Sequence, residues 1–280
     1  MPTSSTKLET RPPAPQYRPN PGGTSAPAGK DPDVPASTLK PLLQQLENAA
    51  RSAGRPPPRL LAVSKYQPAT AVAELAAAWR GLLHEQGHAP DEQAMPAFGE
   101  NYVQEAQAKR ATLDDAGLQW HLIGHLQSNK VRDAAAIFDW VQTIDRTKLI
   151  EPLARHRPAT LPPLNVLVQV NIDDEAAKHG CQPREVATLA SAIGAQSRLR
   201  LRGLMAIPAP DPDMARRRDA FARMKRLFDD LRADHPGIDT LSMGMSEDYA
   251  LAIAEGATLV RVGTALFGPR PRPAPGAPAH

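Results

Sequence analysis

The sequence predicts an α/β fold, a single (β/α)8 barrel of the TIM type with an extra helix ahead of the first strand. Three observations lead there. Eight short, apolar, β-branched runs recur between residues 60 and 267, segments with helical spacing separate them, and the chemically distinctive residues close the first, seventh and eighth runs. Strands alternating with helices build a parallel sheet, eight such units close a barrel, and barrel active sites gather at the C-terminal ends of the strands. A doubly wound open sheet also fits the alternation, but the count of eight favours closure. A chain of 280 residues with 41% hydrophobic content is long enough to bury such a core.

The strands are expected at about 60–65, 96–100, 119–123, 140–144, 165–171, 201–207, 240–246 and 259–267. Most are nearly continuous in apolar residues, as strands buried on both faces should be. Between them, Val72, Leu75, Ala76, Trp79, Leu82 and Leu83 form one helical stripe. Phe221, Met224, Leu227, Phe228 and Leu231 form another. Ser128, Gln182-Pro183 and Ser246 are plausible helix starts, with Pro183 suited to a first turn. A helix at about 38–53 precedes the first strand and covers the place where a final helix would otherwise sit.

Thirty prolines are unusual, and they are unevenly placed. Residues 1–37 are rich in Pro, Ser, Thr, Gly and Ala without hydrophobic periodicity, and 269–280 are similar, so both are expected to be disordered tails around a 38–268 barrel. No apolar segment follows the N-terminal charges as a signal peptide would require, and no run of about 18 apolar residues offers a membrane span. Cys181 is alone, which rules out an internal disulfide and suits a cytoplasmic location. The net charge of +3 is modest. Arg216-Arg217-Arg218 lies in an amphipathic helical pattern, where a solvated face is the expected reading, so no nucleic-acid partner is predicted.

Lys65 closes the run Leu60-Leu61-Ala62-Val63-Ser64-Lys65. An ammonium among aliphatic neighbours at a strand end is costly unless paired or neutralised; desolvation lowers its pKa and makes the amine nucleophilic toward an aldehyde. The plainer alternative is a strand-terminal Lys reaching into solvent. Met243-Gly244-Met245-Ser246 and Arg261-Val262-Gly263-Thr264 end the last two runs in small and hydroxylated residues. Glycine lets backbone approach an anion, hydroxyls donate, and a helix beginning near Glu247 adds N–H groups. In a barrel, strand 1 lies beside strand 8, so amine and phosphate cradle would face each other. Together they suggest pyridoxal 5′-phosphate. Arg261 sits inside Leu259-Val260-Arg261-Val262, where a buried guanidinium needs a partner, either the pyridine nitrogen of that cofactor or a neighbouring carboxylate.

Two patterns suggest metal and are set aside. His84-Glu85-Gln86-Gly87-His88 matches the HExxH zinc motif, but Gly87 and Pro90 end the helix where it must continue. His121 and His125 are four apart, yet Gly124 separates them and the first lies on a strand. No metal is expected. Asn101 and His121, at the ends of strands 2 and 3, are expected near the rim, either touching a ligand or serving loop structure.

The ordered segments Leu61-Ala62-Val63-Ser64-Lys65, 98–105, 120–130, Gly203-Leu204-Met205, 241–246 and 260–268 resemble the pyridoxal phosphate homeostasis protein family, the YggS-like or proline synthase co-transcribed homologues. The resemblance covers about 38–270. It implies a barrel similar to the N-terminal domain of alanine racemase, with an imine at Lys65. It also implies phosphate contacts from Ser246, Gly263 and Thr264, with Arg261 near the ring nitrogen. Asn101, His121, Met205 and Gly244 complete the implied cofactor-binding set. It further implies a protein of vitamin B6 homeostasis that holds and hands over the cofactor without robust catalysis. Apo pyridoxal phosphate enzymes would be its recipients, and the protein itself a monomer or weak dimer. The chain departs from the family in its Pro-rich N-terminal tail and in an apparent insertion around 81–94. The alternative is a racemase or decarboxylase on the same scaffold. Such racemases use a second acid/base brought by an additional β-domain, and the residues after Phe267 are expected to be too short and Pro-rich to supply one.

Overall fold

In the computed structural model, which describes residues 34–87, 95–113, 117–175, 178–209 and 212–268, the apolar runs form eight parallel strands. They are β1 (Arg59–Val63), β2 (Ala97–Glu100), β3 (Gln119–Leu122), β4 (Trp140–Ile144), β5 (Leu164–Val170), β6 (Leu199–Ala206), β7 (Thr240–Ser242) and β8 (Leu259–Val262). The helices are α1 (Val34–Ser52), α2 (Ala69–Glu85), α3 (Val103–Thr112), α4 (Val131–Ile137) and α5 (Ile150–His156), then α6 (Val186–Gly194), α7 (Met214–Asp234), α8 (Tyr249–Ala254) and α9 (Thr264–Phe267). The strands follow chain order around a closed barrel, and β8 returns to β1 with Arg261 opposite Leu61.

Successive side chains of a strand point to opposite faces. The outward set (Leu60, Phe98, Trp120, Val141, Leu204, Val260) packs against the helices in one continuous core. The helical stripes behave as their spacing predicts: Val72, Leu75, Ala76 and Trp79 of α2 are buried, as are Phe221, Met224, Phe228 and Leu231 of α7. α1 packs against α2, α8 and α9 and so closes the seam beside β8. Arg216 and Arg218 on α7 are exposed, as a solvated face requires.

The inward set is different. Leu61, Ala97, Ile123 and Leu259 form one small apolar cluster and Trp140, Leu167 and Met205 another, with polar side chains between them. Gln119, His121, Gln142, Ser242 and Arg261 are all buried there. The apolar runs therefore hide a period-two alternation whose polar members face the barrel axis.

Several boundaries correct the expectations. β1 ends at Val63, so Lys65 lies in the turn beyond it. β7 ends at Ser242 and β8 at Val262; the apolar runs continue because Met243 and Leu266 still pack on the outer core after the backbone has left the sheet. α8 starts at Tyr249 rather than near Glu247, because Asp248 accepts from the Met245 N–H (2.7 Å) and holds a turn first. Ser128 opens a short 3₁₀ turn (Ser128–Lys130) leading into α4. Gln182 and Glu185 form a capping box with Pro183 at the first turn. α1 begins at Val34, inside the expected N-terminal tail. The remainder of that tail, residues 269–280, and residues 88–94 of the apparent insertion (with His88 and Pro90) lie outside the described residues. Among the described residues no helix is long and apolar enough to cross a membrane.

Between β5 and β6 the register shifts, Val166 pairing with Leu201 and Leu167 with Gly203, so Arg202 is an inserted residue. A bulge re-aims a side chain. Here Arg202 turns to Asp239 (2.6 Å) and to Asn165 (2.9 Å) and lies 4.5 Å from the Trp140 ring centroid. Gly203 carries the conformation, at φ +142°, and a Cβ there would stand 2.0 Å from the Thr240 carbonyl oxygen. Gly203→Ala is expected to destabilise the protein by roughly 2–4 kcal/mol through strain and overpacking. Urea denaturation should show an earlier midpoint with an unchanged slope; an unchanged midpoint would contradict the bulge's role.

Candidate functional site

The chain leaves β1 through a tight turn, with the Gln67 N–H donating to the Ser64 carbonyl (3.0 Å). Tyr66 sits at φ +64°, a left-handed conformation that costs a residue with a Cβ about 1–2 kcal/mol. Such strain persists where the surroundings over-determine it, and here they do. The Lys109 ammonium, reaching in from α3, donates to the Ser64 carbonyl (2.6 Å), Glu100 Oε1 (2.6 Å) and Glu105 Oε1 (2.8 Å). Ser64 Oγ donates to the same Glu100 oxygen (2.6 Å), and the Tyr66 N–H donates to Glu105 Oε1 (2.5 Å). The backbone on both sides of Lys65 is thus held by one buried charge cluster, and Lys65 between them is half-buried. Burial pushes the Glu100 carboxyl up to about 7, with the Lys109 charge pulling it back down and Glu105 adding to the rise.

Lys65 faces a cavity of about 210 Å³ at the C-terminal rim, below the ~300–1,000 Å³ of drug-sized pockets, so it suits a small ligand. The β7–α8 turn contributes Met245 and Ser246, the β8–α9 turn contributes Gly263 and Thr264, and Val63, Ile123 and Ile207 supply apolar walls. Gln67 and Asn101 add amides, and Arg261 also reaches it. Thr264 opens a helix, where the first N–H groups have no intrahelical acceptor and point out of the N-terminus. Among the described residues the lining contains two cations, Lys65 and Arg261, and no carboxylate. Such a cavity favours an anion.

Arg261 is 3% exposed and lies in no ion pair among the described residues. Its Nη1 donates to Ser242 Oγ (2.7 Å) and its Nη2 to the Ala206 carbonyl (2.8 Å). The carboxylate alternative for its partner is therefore not realised. Burial lowers the guanidinium pKa to about 10, with Asp248 opposing, so Arg261 stays charged at neutral pH. From Ser242 a hydrogen-bonded chain continues down the barrel axis. Ser242 Oγ donates to Gln142 Oε1 (2.7 Å), which leaves Gln142 Nε2 as donor to His121 Nδ1 (2.9 Å). His121 Nε2 then carries the proton and donates to Gln119 Oε1 (3.0 Å), which Arg59 also reaches (2.6 Å). Burial, with Arg59 and Arg202 nearby, holds the His121 pKa well below its usual value, so the ring is neutral.

Lys65, Ser246, Arg261, Gly263, Thr264 and Asn101 thus meet at one cavity, as expected from sequence. Three residues do not. His121 is not at the rim: it is the third residue of a four-residue strand, faces inward, and stacks on Trp140 (5.1 Å, 7°). Met205 is wholly buried against Trp140 and Leu167. Gly244 (φ +91°) serves the backbone: its carbonyl accepts from the Arg261 N–H (3.1 Å), and a Cβ there would meet that of Ala252 at 2.6 Å. Sequence reasoning missed the Glu100–Glu105–Lys109 cluster. Its available signals were Glu100 inside a short buried strand and the i,i+4 pair on α3.

The chain matches the family described as alanine racemase, N-terminal domain, over residues 38–271. It is 49% identical over 242 residues to the pyridoxal phosphate homeostasis protein of Pseudomonas aeruginosa, covering 86% of this chain and 97% of that protein. With the Escherichia coli protein of the same name it shares 46% identity over 240 residues, 84% of this chain and 96% of the other. Among solved structures it is similar to PipY of Synechococcus elongatus with PLP bound (TM-score 0.68, 35% identity, 84% of this chain and 100% of that one). Alanine racemase of Corynebacterium glutamicum shares the fold at 18% identity (TM-score 0.58, 88% of this chain and 63% of that one).

The Glu100 shift makes a signed prediction. Between its ordinary 4.5 and about 7, the folded state keeps a proton that the unfolded state has released. Its contribution to stability is complete below 4.5 and is lost as pH rises through 7. Glu100→Gln cannot titrate. The stability of the parent relative to this variant should therefore fall between those pH values and level off above them, as read by urea denaturation. A difference independent of pH would contradict the shift.

Proposed function

The chain belongs to the pyridoxal phosphate homeostasis protein family, and on that premise we propose that it holds pyridoxal 5′-phosphate in the rim cavity, anchored by Lys65, and buffers or delivers it without robust catalysis. One observation carries this reading: a primary amine, two hydroxyls, an exposed helix start and a buried guanidinium with no carboxylate partner among the described residues converge on one small cationic cavity. The residues fit the group. When bound, the cofactor supplies an aldehyde able to condense with a primary amine and a phosphate dianion that needs donors.

Lys65 supplies the amine, aimed by the clamped turn. Ser246 and Thr264 offer hydroxyls and Gly263 close backbone approach for the phosphate, each charge-assisted bond contributing on the order of 1.5–3 kcal/mol. Arg261, charged and with Nη1 and Nη2 fixed on Ser242 and Ala206, serves as a donor toward the ring nitrogen. Because it cannot give up its proton, that nitrogen stays unprotonated and the ring is a weak electron sink. Asn101 and Gln67 complete the polar lining. Proton transfer at carbon from both faces of a ring needs two bases. Among the described lining residues, Lys65 is the one side chain able to act as a base, which favours holding the cofactor over racemization. A cytoplasmic location, apo-enzymes as recipients, and no nucleic-acid or membrane partner complete the reading, with residues 38–268 as the binding domain.

The purified protein is expected to carry the visible absorbance of a covalently held cofactor, and Lys65→Ala to lack it; retention of the band would refute the anchor. Ser246→Ala should release cofactor about tenfold faster or more, the loss of one such hydrogen bond, and equal rates would count against the phosphate assignment. Incubated with L- and D-amino acids and read by chiral chromatography, the protein should turn over well below about 1 s⁻¹, the low end of ordinary enzymes.

A further inference from the structure

Beside the cavity, and sharing with it only Asn101 among the described residues, runs a groove lined by Tyr102, Gly124, His125, Lys130 and His179. His125 follows β3, Asp145 follows β4 directly, and His179 lies in the loop after β5, so three consecutive strand ends contribute. One nitrogen of each imidazole and a carboxylate oxygen of Asp145 lie within 4.8 Å of one another. We propose that His125, Asp145 and His179 form a binding site for a divalent transition-metal ion of the Zn²⁺ class.

The pair His125–Asp145 carries the proposal furthest. His125 Nδ1 stands 3.4 Å from Asp145 Oδ2, yet this buried nitrogen has no hydrogen-bond partner among the described residues. Two ligands bonded at about 2.0–2.2 Å to a tetrahedral ion stand about 3.4 Å apart. The two atoms therefore already have the spacing of neighbouring ligands. Asp145 is oriented from behind, as ligating carboxylates are: its Oδ1 accepts from Arg146 Nη1 (2.5 Å), and Arg146 Nη2 is tied to the Leu126 carbonyl (2.8 Å). The loop carrying His125 is fixed as well. Thr143 Oγ1 donates to the Gly124 carbonyl (2.9 Å), and a Cβ on Gly124 would stand 2.1 Å from the Asn101 carbonyl oxygen, so only glycine allows this approach.

His179 is the adjustable ligand. Its carbonyl accepts from Gln169 Nε2 (3.2 Å), which holds its backbone, while its exposed ring stacks on His125 at 3.9 Å and 17°. Stacked rings direct their nitrogens in near-parallel planes, so binding turns the His179 ring about its side-chain torsions to bring a nitrogen onto the ion. Cys181, two residues further along, is buried and is not among the converging ligand atoms. Two imidazoles and one carboxylate suit Zn²⁺ and its neighbours, whereas Mg²⁺ and Ca²⁺ take oxygen ligands. Open positions would be filled by water from the solvent side.

Calorimetric titration of the untagged full chain with Zn²⁺ alone, and separately with Mg²⁺ alone, tests this. The expected result is one Zn²⁺ per chain at micromolar affinity and no Mg²⁺ binding. His179→Ala and His125→Ala should each weaken Zn²⁺ binding at least tenfold, with thermal melting showing that both remain folded. Equal Zn²⁺ affinity for the parent and the His125→Ala/His179→Ala double variant would overturn the proposal, as would an absence of Zn²⁺ binding by the parent. Neither outcome depends on whether pyridoxal phosphate binds.

Discussion

The ammonium of Lys109 is the constraint on which the site depends. It reaches the exit of β1 from α3 and there satisfies the Ser64 carbonyl and two carboxylates at once. Without it, Glu100 would keep only the Ser64 hydroxyl and lose its charged partner, and removing one member of a buried pair costs about 3–5 kcal/mol. The strained Tyr66 turn would also lose the group that anchors Glu105. A lysine side chain is long and loses much rotamer freedom when ordered. Fixing the backbone on either side of Lys65 confines the starting point of that side chain, so its amine meets the cavity with less left to order.

The opposite wall is governed by direction. The hydrogen bonds from Arg261 through Ser242, Gln142 and His121 to Gln119 all donate the same way, and Gln119 ends the chain by accepting from both His121 and Arg59. A protonated His121 would turn Nδ1 into a donor facing the donor on Gln142. The neutral ring, already favoured by burial, is therefore the state that keeps the chain intact. The residue taken from sequence for a ligand contact acts one layer below, on the residues that hold Arg261.

What was legible in the sequence follows from what each signal measures. Strand number, closure and the meeting of Lys65 with Ser246, Gly263 and Thr264 were readable because they depend on the order of apolar runs and on barrel topology. Strand ends were not, because hydropathy reports burial rather than sheet membership: Met243 and Leu266 are as buried as any strand residue. The depth of His121 was lost for a related reason. A polar residue in a barrel strand can face the ligand or the axis, and the choice rests on register with Gly99 and Trp140 across two neighbouring strands. The Lys109 clamp joins residues 36 and 45 positions apart to Ser64, a proximity that only the closed β1–β2–α3 packing creates. The His125–Asp145–His179 cluster was hidden in the same way, since no short spacing links three successive strand ends.

The central claim is that one lysine, held by this clamp, carries the cofactor. Borohydride reduction of the cofactor-loaded protein followed by peptide mass mapping tests it most directly. The account predicts a pyridoxyl adduct on the peptide containing Lys65. An adduct on another lysine, with Lys65 unmodified, would contradict it.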